Sequence, residues 1–477
     1  MSPATRRRQR VTFAVLTVAV GAFALLQSMV VPVLSLIQVE YDTDQSTVTW
    51  VLTAYLLSAS VATPLLGRIG DVVGKKRMLV VTLMALAVGS LLAALAPSIG
   101  WLIAARVVQG AGGGVLPLSF GIIRDEFGDK MTGALSVLAS LTAVGFGLGI
   151  VVAGPVVETL GYHWLFWLPM GATLLAAAGA ARFVPESPRG AATRLPLAPA
   201  VLLAGWLVAL LLPVSQGNTW GWGSPRVIGL LALSAVLAAA WIRLETRVRV
   251  PLIDMHMMRR RGVWTTNLVT LFVGFGLFAS FGFLPQLLQT PESSGYGFGA
   301  SVTVSGQLLL PSAVASFLVG FTTSRLMGRF GARAVILTGA LISGLSYLSL
   351  ALFHDTVLQI LVGITAQGLG TGLVISSSAS VVIASVPASQ TGVASGMNAN
   401  IRTIGGSIGS AVMAGVVTAR TGPGGFPAEN GYTVGFGLLA FFLFVATLAA
   451  TRVPDLHRTG AGSTQDDEVS EPAPAGA

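Results

Sequence analysis

The sequence has no cysteine, only four histidines and very few charged residues. Of its 477 residues, only 10% are Asp, Glu, Lys or Arg, against about 25% in typical soluble domains. The absence of cysteine excludes disulfides, thiolate metal sites and a cysteine nucleophile. No pair of histidines has the spacing of metal ligands, so we predict no metal site. With 53% hydrophobic residues and a mean hydropathy of +0.79, the chain is predicted to lie mostly within a lipid bilayer.

The sparse charges are arranged unlike those of a nucleic-acid-binding protein. The net charge of +9 and the pI near 10.6 could by themselves indicate a polyanionic partner. The Lys and Arg residues lie instead in short loops between apolar runs, and not on one polar face. We therefore expect membrane lipids and a small molecule as partners, with no nucleic acid and no cofactor.

Long apolar segments dominate the chain. A helix of about 20 mostly apolar residues crosses a bilayer, and fourteen segments meet this requirement. The first follows an Arg-rich N-terminus, but it is longer than the core of about 7–15 residues in a secretory signal. The predicted spans are 11–37, 47–68, 78–97, 100–123, 133–157, 163–184, 197–213, 226–243, 263–289, 301–326, 333–353, 357–385, 391–419 and 432–452.

Basic residues predict the orientation of these spans. Cytoplasmic loops of membrane proteins are enriched in Lys and Arg. When the N-terminus is placed in the cytoplasm, most of the 28 Lys and Arg residues fall on that side. The even number of spans then returns the C-terminus to the cytoplasm. The Arg-rich, Lys-poor composition is typical of GC-rich bacterial genomes, so we expect a multi-pass protein of a bacterial inner (plasma) membrane.

The loop after the second span is echoed after the tenth, which indicates a repeat of six spans. GRIGDVVGKKR and SRLMGRFGAR (324–333) share glycines before a basic residue, with Gly70–Gly74 echoed by Gly328–Gly331. Parallel six-helix repeats are one plan of membrane transporters. The basic, amphipathic segment 243–261 is expected on the cytoplasmic membrane surface, or is a plain linker. The predicted parts are a cytoplasmic N-terminus (1–10), a six-helix bundle (11–184), a linker with two extra helices (185–243), a second six-helix bundle with the preceding basic segment (244–453) and a disordered tail (454–477).

The stretch GRIGDVVGKKRMLV (67–80) resembles a phosphate-binding loop at first sight. Such a loop needs a Ser or Thr after its lysine to bind magnesium, and Lys76 stands at that position. It should also follow a short strand, whereas a long apolar run precedes this stretch. The sequence therefore does not predict a nucleotide site here.

Four motifs carry more specific information. The loop pattern G-x-L-a-D-r-x-G-r-k-x-x-l is matched by Gly67, Asp71, Gly74, Lys75, Lys76 and Leu79. The fourth span contains an Arg-x-x-Gln-Gly pattern, formed by Arg106, Gln109 and Gly110. In the fifth span Gly154 and Pro155 match G-P-x-x-G-G, although Glu158 and Thr159 replace its last two glycines. The thirteenth span matches G-x-A-S-x-x-x-N-x-x-R-x-x-G-G at Gly392, Ser395, Asn398, Arg402, Gly405 and Gly406.

Together these motifs resemble the fourteen-span drug:proton antiporter branch of the major facilitator superfamily. The resemblance covers about residues 11–453. It implies an all-α polytopic membrane protein with two six-helix bundles and two inserted helices, which makes fourteen transmembrane helices. It also implies alternating access driven by a proton gradient.

The resemblance suggests that the loop at 67–77 is a latch. Gly67, Gly70 and Gly74 permit a tight turn and a close approach to a neighbouring helix. Asp71 can accept hydrogen bonds from the N–H groups at a helix N-terminus. The resemblance implies that this helix is the thirteenth span, which begins near Gln390. The alternative is a structural turn that only fixes the topology.

Three cations follow the latch glycines. Lys75, Lys76 and Arg77 are expected to hold the turn at the anionic inner leaflet. If this is correct, their side chains lie at the membrane surface.

Two arginines lie inside predicted spans, where a charge at the bilayer centre costs about 2.5–3.5 kcal/mol. At 1.5 Å per residue, Arg402 lies ~17 Å along its span and Arg106 lies ~9 Å from the outer end of its own. The resemblance indicates a proton-relay or gating role for Arg106 with Gln109. Arg402 and Asn398 either line a cavity or clamp helices together.

The usual acid of the first span is missing, because Gln27 stands in the corresponding stretch. Glu158 is the nearest substitute for proton coupling, since a partly desolvated glutamate can exchange protons near neutral pH. The alternative is a solvated loop acid at the outer end. The resemblance also makes the fifth span a bendable element, through Gly149, Gly154 and Pro155.

The predicted function is proton-driven export of small amphipathic or cationic compounds, as in multidrug efflux, by a monomer. One alternative is a dedicated exporter of an endogenous lipid or secondary metabolite. A different class, a non-transporting membrane receptor or scaffold, would need a soluble signalling domain that the sequence lacks. No catalytic constellation or cofactor motif indicates an enzyme.

Overall fold

A computed structural model describes residues 3–43, 45–186, 197–248, 251–419 and 426–455. Within these ranges the chain is almost wholly helical, as its apolar runs predict. A 3₁₀ turn at Gly110–Gly114 interrupts the fourth long helix. The long helices are α1 (Pro3–Ser28), α2 (Gln45–Val73), α3 (Lys75–Ala94), α4 (Ile99–Phe127), α5 (Met131–Leu160), α6 (Trp164–Phe183), α7 (Leu197–Trp220), α8 (Pro225–Glu245), α9 (Arg261–Gln289), α10 (Val302–Phe330), α11 (Ala332–Leu352), α12 (Val357–Ala384), α13 (Thr391–Val417) and α14 (Glu429–Ala450).

Thirteen of the described helices are long and apolar enough to cross a membrane, and α13 is the long helix outside this group. It has 27 residues, but Asn, Ser, Thr and Arg side chains lower its hydropathy. Other helices surround it: α9, α2, α4 and α7 all pack against it. A helix shielded in this way can carry polar side chains, because they face the protein interior and not lipid.

The structure differs from the expected segments most clearly at three places. The predicted first span 11–37 is broken, because α1 ends at Ser28 and is followed by a 3₁₀ turn (Val31–Val33) and a short helix (Leu34–Glu40). α7 has 24 residues and runs through Pro213 to Trp220, so the seventh span is not short. α1 begins at Pro3, so the described residues 3–10 of the predicted N-terminal segment are helical and continuous with the first span. This first part of α1 is held by Gln9, whose amide donates a 2.7 Å hydrogen bond to the carbonyl of Glu126.

The described residues of the basic segment 243–261 pack partly on protein. Between α8 and α9 its helical part is short, Met255–Arg259. Leu252 and Ile253 are buried, and their N–H groups donate to the carboxylate of Glu245 at 2.9 and 3.2 Å. The apolar residues of the segment thus face other helices. Contact of its basic residues with the membrane surface stays a prediction, beside the alternative of a plain linker.

The two halves of the protein meet mainly along two helix pairs, α2 with α13 and α5 with α10, and also where α5 contacts α12 and α4 contacts α13. The inserted helices α7 and α8 pack on each other, and α7 also contacts α2 and α13. α8 has few buried residues, so most of its surface is free to face lipid. The predicted tail lies outside the described residues beyond 455, as do residues 187–196 of the linker.

Candidate functional site

Asp71 joins the two halves at the end of the bundle where α1 begins, which we call the basic end. Its buried carboxylate accepts hydrogen bonds from the backbone N–H groups of Gly392, at 3.0 and 3.3 Å, and of Val393, at 3.2 Å. The first N–H groups of a helix have no partner inside the helix and form its positive end. The structure thus places Asp71 at the start of α13, next to Gln390; its gating role stays a prediction.

The glycines beside Asp71 permit this contact. A Cβ on Gly67 would lie 2.5 Å from the carbonyl oxygen of Gly392, and a Cβ on Gly70 would lie 2.1 Å from Leu118. Gly74 separates α2 from α3 with φ +116°, a conformation that residues with a side chain rarely adopt. Close approach to α13 thus requires Gly67, whereas Gly70 packs on the side chain of Leu118 within its own half and backbone conformation requires Gly74.

The cations after the turn have different roles from those expected. Lys75 is only 6% exposed, and its Nζ lies 2.8 Å from Oδ2 of Asp125 on α4. The expectation that Lys75 lies at the lipid surface was wrong, because the start of α3 directs it into the bundle. Lys76 forms a 3.1 Å ion pair with the exposed Glu186, and Arg77 is exposed.

Arg124 makes a second connection between the halves at the basic end. Its guanidinium donates to the carbonyl of Ile383 at 2.7 Å, to that of Val386 at 2.7 Å and to the hydroxyl of Thr391 at 2.8 Å. These carbonyls lie at the C-terminal end of α12, which is the negative end of the helix. One half therefore presents an anion to a helix start and a cation to a helix end of the other half. We call these two contacts the charge–helix pair.

The loop between α10 and α11, which repeats the loop between α2 and α3, has no counterpart of Asp71. Gly331 joins α10 to α11 with φ +84°, as Gly74 joins α2 to α3. When the loops are aligned on these two glycines, Gly328 corresponds to Asp71 and not to Gly70 as the sequence comparison suggested. The repeat is therefore symmetric in backbone shape but asymmetric in charge.

Arg106 and Gln109 form a polar network inside the first half. The Arg106 guanidinium is fully buried and donates to the carbonyl of Val51 at 3.1 Å and to Oε1 of Gln109 at 2.7 Å. It also lies 4.3 Å from the ring centroid of Tyr55, and Gln109 donates to Ser90 at 3.1 Å. In the described ranges no carboxylate is paired with Arg106. The network ties α2, α3 and α4 together, and a relay role stays a prediction.

Gln27 and Arg402 line a small cavity between the two halves, which we call the central cavity. It has a volume of about 90 Å³, and aromatic rings of α1, α5 and α9 form much of its wall. Within the described part of the chain, the side chains of Gln27 and Arg402 make no hydrogen bond or ion pair. Arg402 therefore does not clamp the halves together in this structure; its side chain borders the cavity.

A second cavity of about 360 Å³ lies towards the opposite end of the bundle, and we call it the outer cavity. Phe281 lines both cavities. Its ring stacks on Phe146 of the other half, with centroids 4.6 Å apart and planes 23° apart. An aromatic pair with one ring from each half therefore separates the central cavity from the outer cavity.

Asn398 faces away from the central cavity. Its amide donates to Oδ1 of Asn267 at 2.8 Å and to the hydroxyl of Thr270 at 3.2 Å. Both partners lie on α9, within the same half. Of the two roles expected for Asn398, a clamp between helices fits this geometry, and lining of the cavity does not.

Glu158 is not buried by the protein. Its side chain is exposed at the outer end of α5, where it accepts a 3.3 Å hydrogen bond from Thr303 of α10. No protein burial desolvates this carboxylate, and its role in proton coupling stays a prediction. The solvated-acid alternative fits this geometry.

The glycines of α5 allow two neighbouring helices to approach closely. A Cβ on Gly149 would lie 1.9 Å from the hydroxyl of Ser28 on α1, and a Cβ on Gly154 would lie 2.6 Å from that of Thr303 on α10. The helix runs without interruption through Pro155. Bending at this point stays a prediction, and the structure shows a packing reason for both glycines.

The comparison with known protein families decides the class of the protein. The model of the Major Facilitator Superfamily matches residues 16–290 and 266–474. The chain belongs to the Major Facilitator Superfamily. Its two six-helix halves, with two helices inserted between them, are consistent with that fold, and its family is one of transporters.

Several curated members of the superfamily are similar over most of the chain. A multidrug transporter protein, MdtP of Bacillus subtilis, is 26% identical over 79% of this chain and 70% of its own length. A multidrug resistance protein B homolog of Mycobacterium tuberculosis is 29% identical over 80% of this chain and 71% of its own. The tetracenomycin C resistance and export protein of Streptomyces glaucescens is 26% identical over 88% and 78%.

A solved structure supports the same fold. The human organic anion transporter MFSD10 (TETRAN) superposes with a TM-score of 0.65 over 94% of this chain and 100% of its own. Only 17% of the residues are identical. This likeness therefore concerns the major facilitator fold alone.

Two residues of this major facilitator protein that make long-range polar contacts were missed at the sequence level. Asp125 and Arg124 are adjacent at the end of α4, but they point to different partners, Lys75 in the same half and α12 in the other. An acid next to a base in a cytoplasmic loop is usually solvated. No local pattern distinguishes it from one whose partner is more than 250 residues away.

Proposed function

We propose that this protein is a proton-coupled secondary transporter that exports small amphipathic compounds by alternating access. The charge–helix pair is the observation that carries the proposal. It closes the basic end with polar contacts between the halves, while the central and outer cavities lie between the same halves. Such contacts can be made and broken as a unit, which alternating access requires.

We assign the basic end to the cytoplasm, because its loops hold most of the Lys and Arg residues. The structure then has a closed cytoplasmic side and a cavity towards the outside. Asp71 and Arg124 act as the latch of the cytoplasmic side. The latch opens when the halves rock apart and exposes the central cavity to the cytoplasm.

Export, and not import, is supported by the names of the curated relatives, which describe multidrug transport, resistance and export. The described residues form no domain outside the helical bundle that could bind ATP. An ion gradient is therefore the proposed energy source, with protons as the ion. Glu158 is not part of this proposal, because its side chain is exposed.

The test is transport in proteoliposomes of known orientation, with amphipathic dyes of both charges and an imposed pH gradient. We expect gradient-dependent dye movement that Asp71→Asn and Arg124→Gln reduce at least tenfold. The matched control is Glu126→Gln, which removes a charge at the same end from a pair with Arg8 inside one half. Dye movement that does not depend on the pH gradient would contradict proton coupling. The absence of movement of any dye would contradict the proposed export of amphipathic compounds.

A further inference from the structure

The central cavity holds one kind of formal charge. Arg402 is the charged side chain in its lining, and no Asp or Glu of the described residues lines it. A second cation lies directly behind the wall, because the Tyr55 ring that faces the cavity covers the guanidinium of Arg106 at 4.3 Å. The charged side chains in and behind the cavity wall are therefore both positive, and no acidic side chain of the lining neutralises them.

The Arg402 side chain offers donors that the protein does not use. An arginine has five N–H donors, and none of those of Arg402 finds a partner among the described residues. Arg106 is different, since Val51 and Gln109 accept its hydrogen bonds. A charge held in a poorly solvated place without a partner is costly. An anionic group of a bound molecule would supply the missing partner.

The other polar groups of the cavity also favour a ligand rich in acceptors. The hydroxyls of Thr63, Thr142 and Thr403 each donate to a carbonyl of their own helix, at 2.6, 2.6 and 3.1 Å. The amide of Gln27 is unpaired within the described residues and adds two further N–H donors. The donors available to a ligand thus come from Arg402 and Gln27, together with the buried hydroxyl of Tyr55, which has no partner among the described residues.

The rest of the wall is aromatic. Phe23, Phe146, Phe278 and Phe281 line the cavity, and Phe146 stacks on Phe281 and meets Phe278 edge-on at 6.3 Å. Flat rings of a ligand can replace such stacking when the halves separate. The volume of about 90 Å³ is below the roughly 300–1,000 Å³ of occupied small-molecule sites. The ligand therefore enters when the halves rock apart.

We propose that the substrates are aromatic amphiphiles that carry an anionic oxygen group, such as a carboxylate or sulfonate, which Arg402 binds in the central cavity. This inference rests on the proposed export function and narrows it. Planar cations are disfavoured, because they would place like charge beside Arg402 without a neutralising acid. Arg402 acts here as a binding residue, with Gln27 as its neighbour in the same cavity.

The test compares two planar aromatic compounds of opposite charge, anthraquinone-2-sulfonate and ethidium, in proteoliposomes with an imposed pH gradient. We expect the wild type to transport the sulfonate in preference to ethidium. Arg402→Gln should weaken the sulfonate interaction about ten- to hundredfold, which corresponds to loss of one charge-assisted hydrogen-bonded contact. Arg226→Gln is the control, because Arg226 lies on Trp220 outside both cavities.

A second variant guards against simple misfolding. The double substitution Gln27→Glu with Arg402→Gln reverses the charge of the cavity, and we expect it to prefer ethidium. A gain of ethidium transport cannot come from an unfolded protein. The shift of the melting temperature by each compound in detergent provides a readout of binding that is independent of transport.

The possible outcomes separate the inference from the proposed function. Wild-type transport of ethidium and not of the sulfonate would overturn the anionic substrate class and leave the exporter intact. Sulfonate transport that Arg402→Gln leaves unchanged would overturn the role of Arg402. If neither compound moves and neither changes the melting temperature, the proposed export function falls together with the inference.

Discussion

Removal of the charge of Asp71 tests the latch most directly. Its carboxylate accepts from the N–H groups of Gly392 and Val393 at 3.0–3.3 Å, at the positive end of α13. In Asp71→Asn one amide oxygen remains, and the charge that interacts with the helix end is lost. A partly buried charge–helix interaction is worth up to about 2 kcal/mol. We expect the closed state to lose about 1–2 kcal/mol relative to the open state, which shifts their ratio about fivefold to thirtyfold.

The chain has no cysteine, so pairs of introduced cysteines can report the distance between the halves without background labelling. Arg182 at the end of α6 and Arg329 at the end of α10 are exposed and lie in different halves at the basic end. Spin labels on cysteines at these two positions give a distance distribution by pulsed electron paramagnetic resonance. Asp71→Asn should increase the population at long distances.

Glu126→Gln is the matched control for this measurement. It changes the net charge of the same end by the same amount, but Glu126 pairs with Arg8 within one half. A distribution that is identical in Asp71→Asn and in the unsubstituted reporter protein would refute the latch. An equal change in Glu126→Gln would show that net charge, and not the contact with α13, controls the opening.

Three further predictions follow from particular contacts. Lys75→Met leaves the largely buried carboxylate of Asp125 without its partner and should destabilise the protein by up to about 3 kcal/mol, measured as a lower melting temperature. Lys76→Gln, at a pair whose acid is exposed, should cost under about 1 kcal/mol. Gly67→Ala should open the basic end in the spin-label assay, because its Cβ would lie 2.5 Å from a backbone oxygen of α13; an unchanged distribution would contradict this. Glu158→Gln should leave the ratio of protons to substrate unchanged, and an altered ratio in reconstituted protein would restore Glu158 as the proton site.

The helices of this protein could be predicted from its sequence better than their boundaries. The apolar runs predicted the helices and their number, because the preference of a segment for lipid depends on its own side chains. The boundaries of α7 and of the first helix were less well predicted. Gln9 and the residues around Pro213 lie against other helices, and the local apolar pattern carries no information about those contacts. Asp71 was recognised because its loop motif occupies a fixed place between two helices.

The partners of the polar side chains could be found only from the tertiary structure. Lys75 looks in sequence like one more surface cation, yet it pairs with Asp125, which lies 50 residues away. Arg124 and Arg402 are both isolated arginines at the sequence level; one is fixed to α12 by carbonyl oxygens and the other borders a cavity. Sequence by itself determined which segments prefer lipid and which family the motifs resemble. Which buried charge has a partner was decided by packing, because that depends on distances between helices remote in the chain.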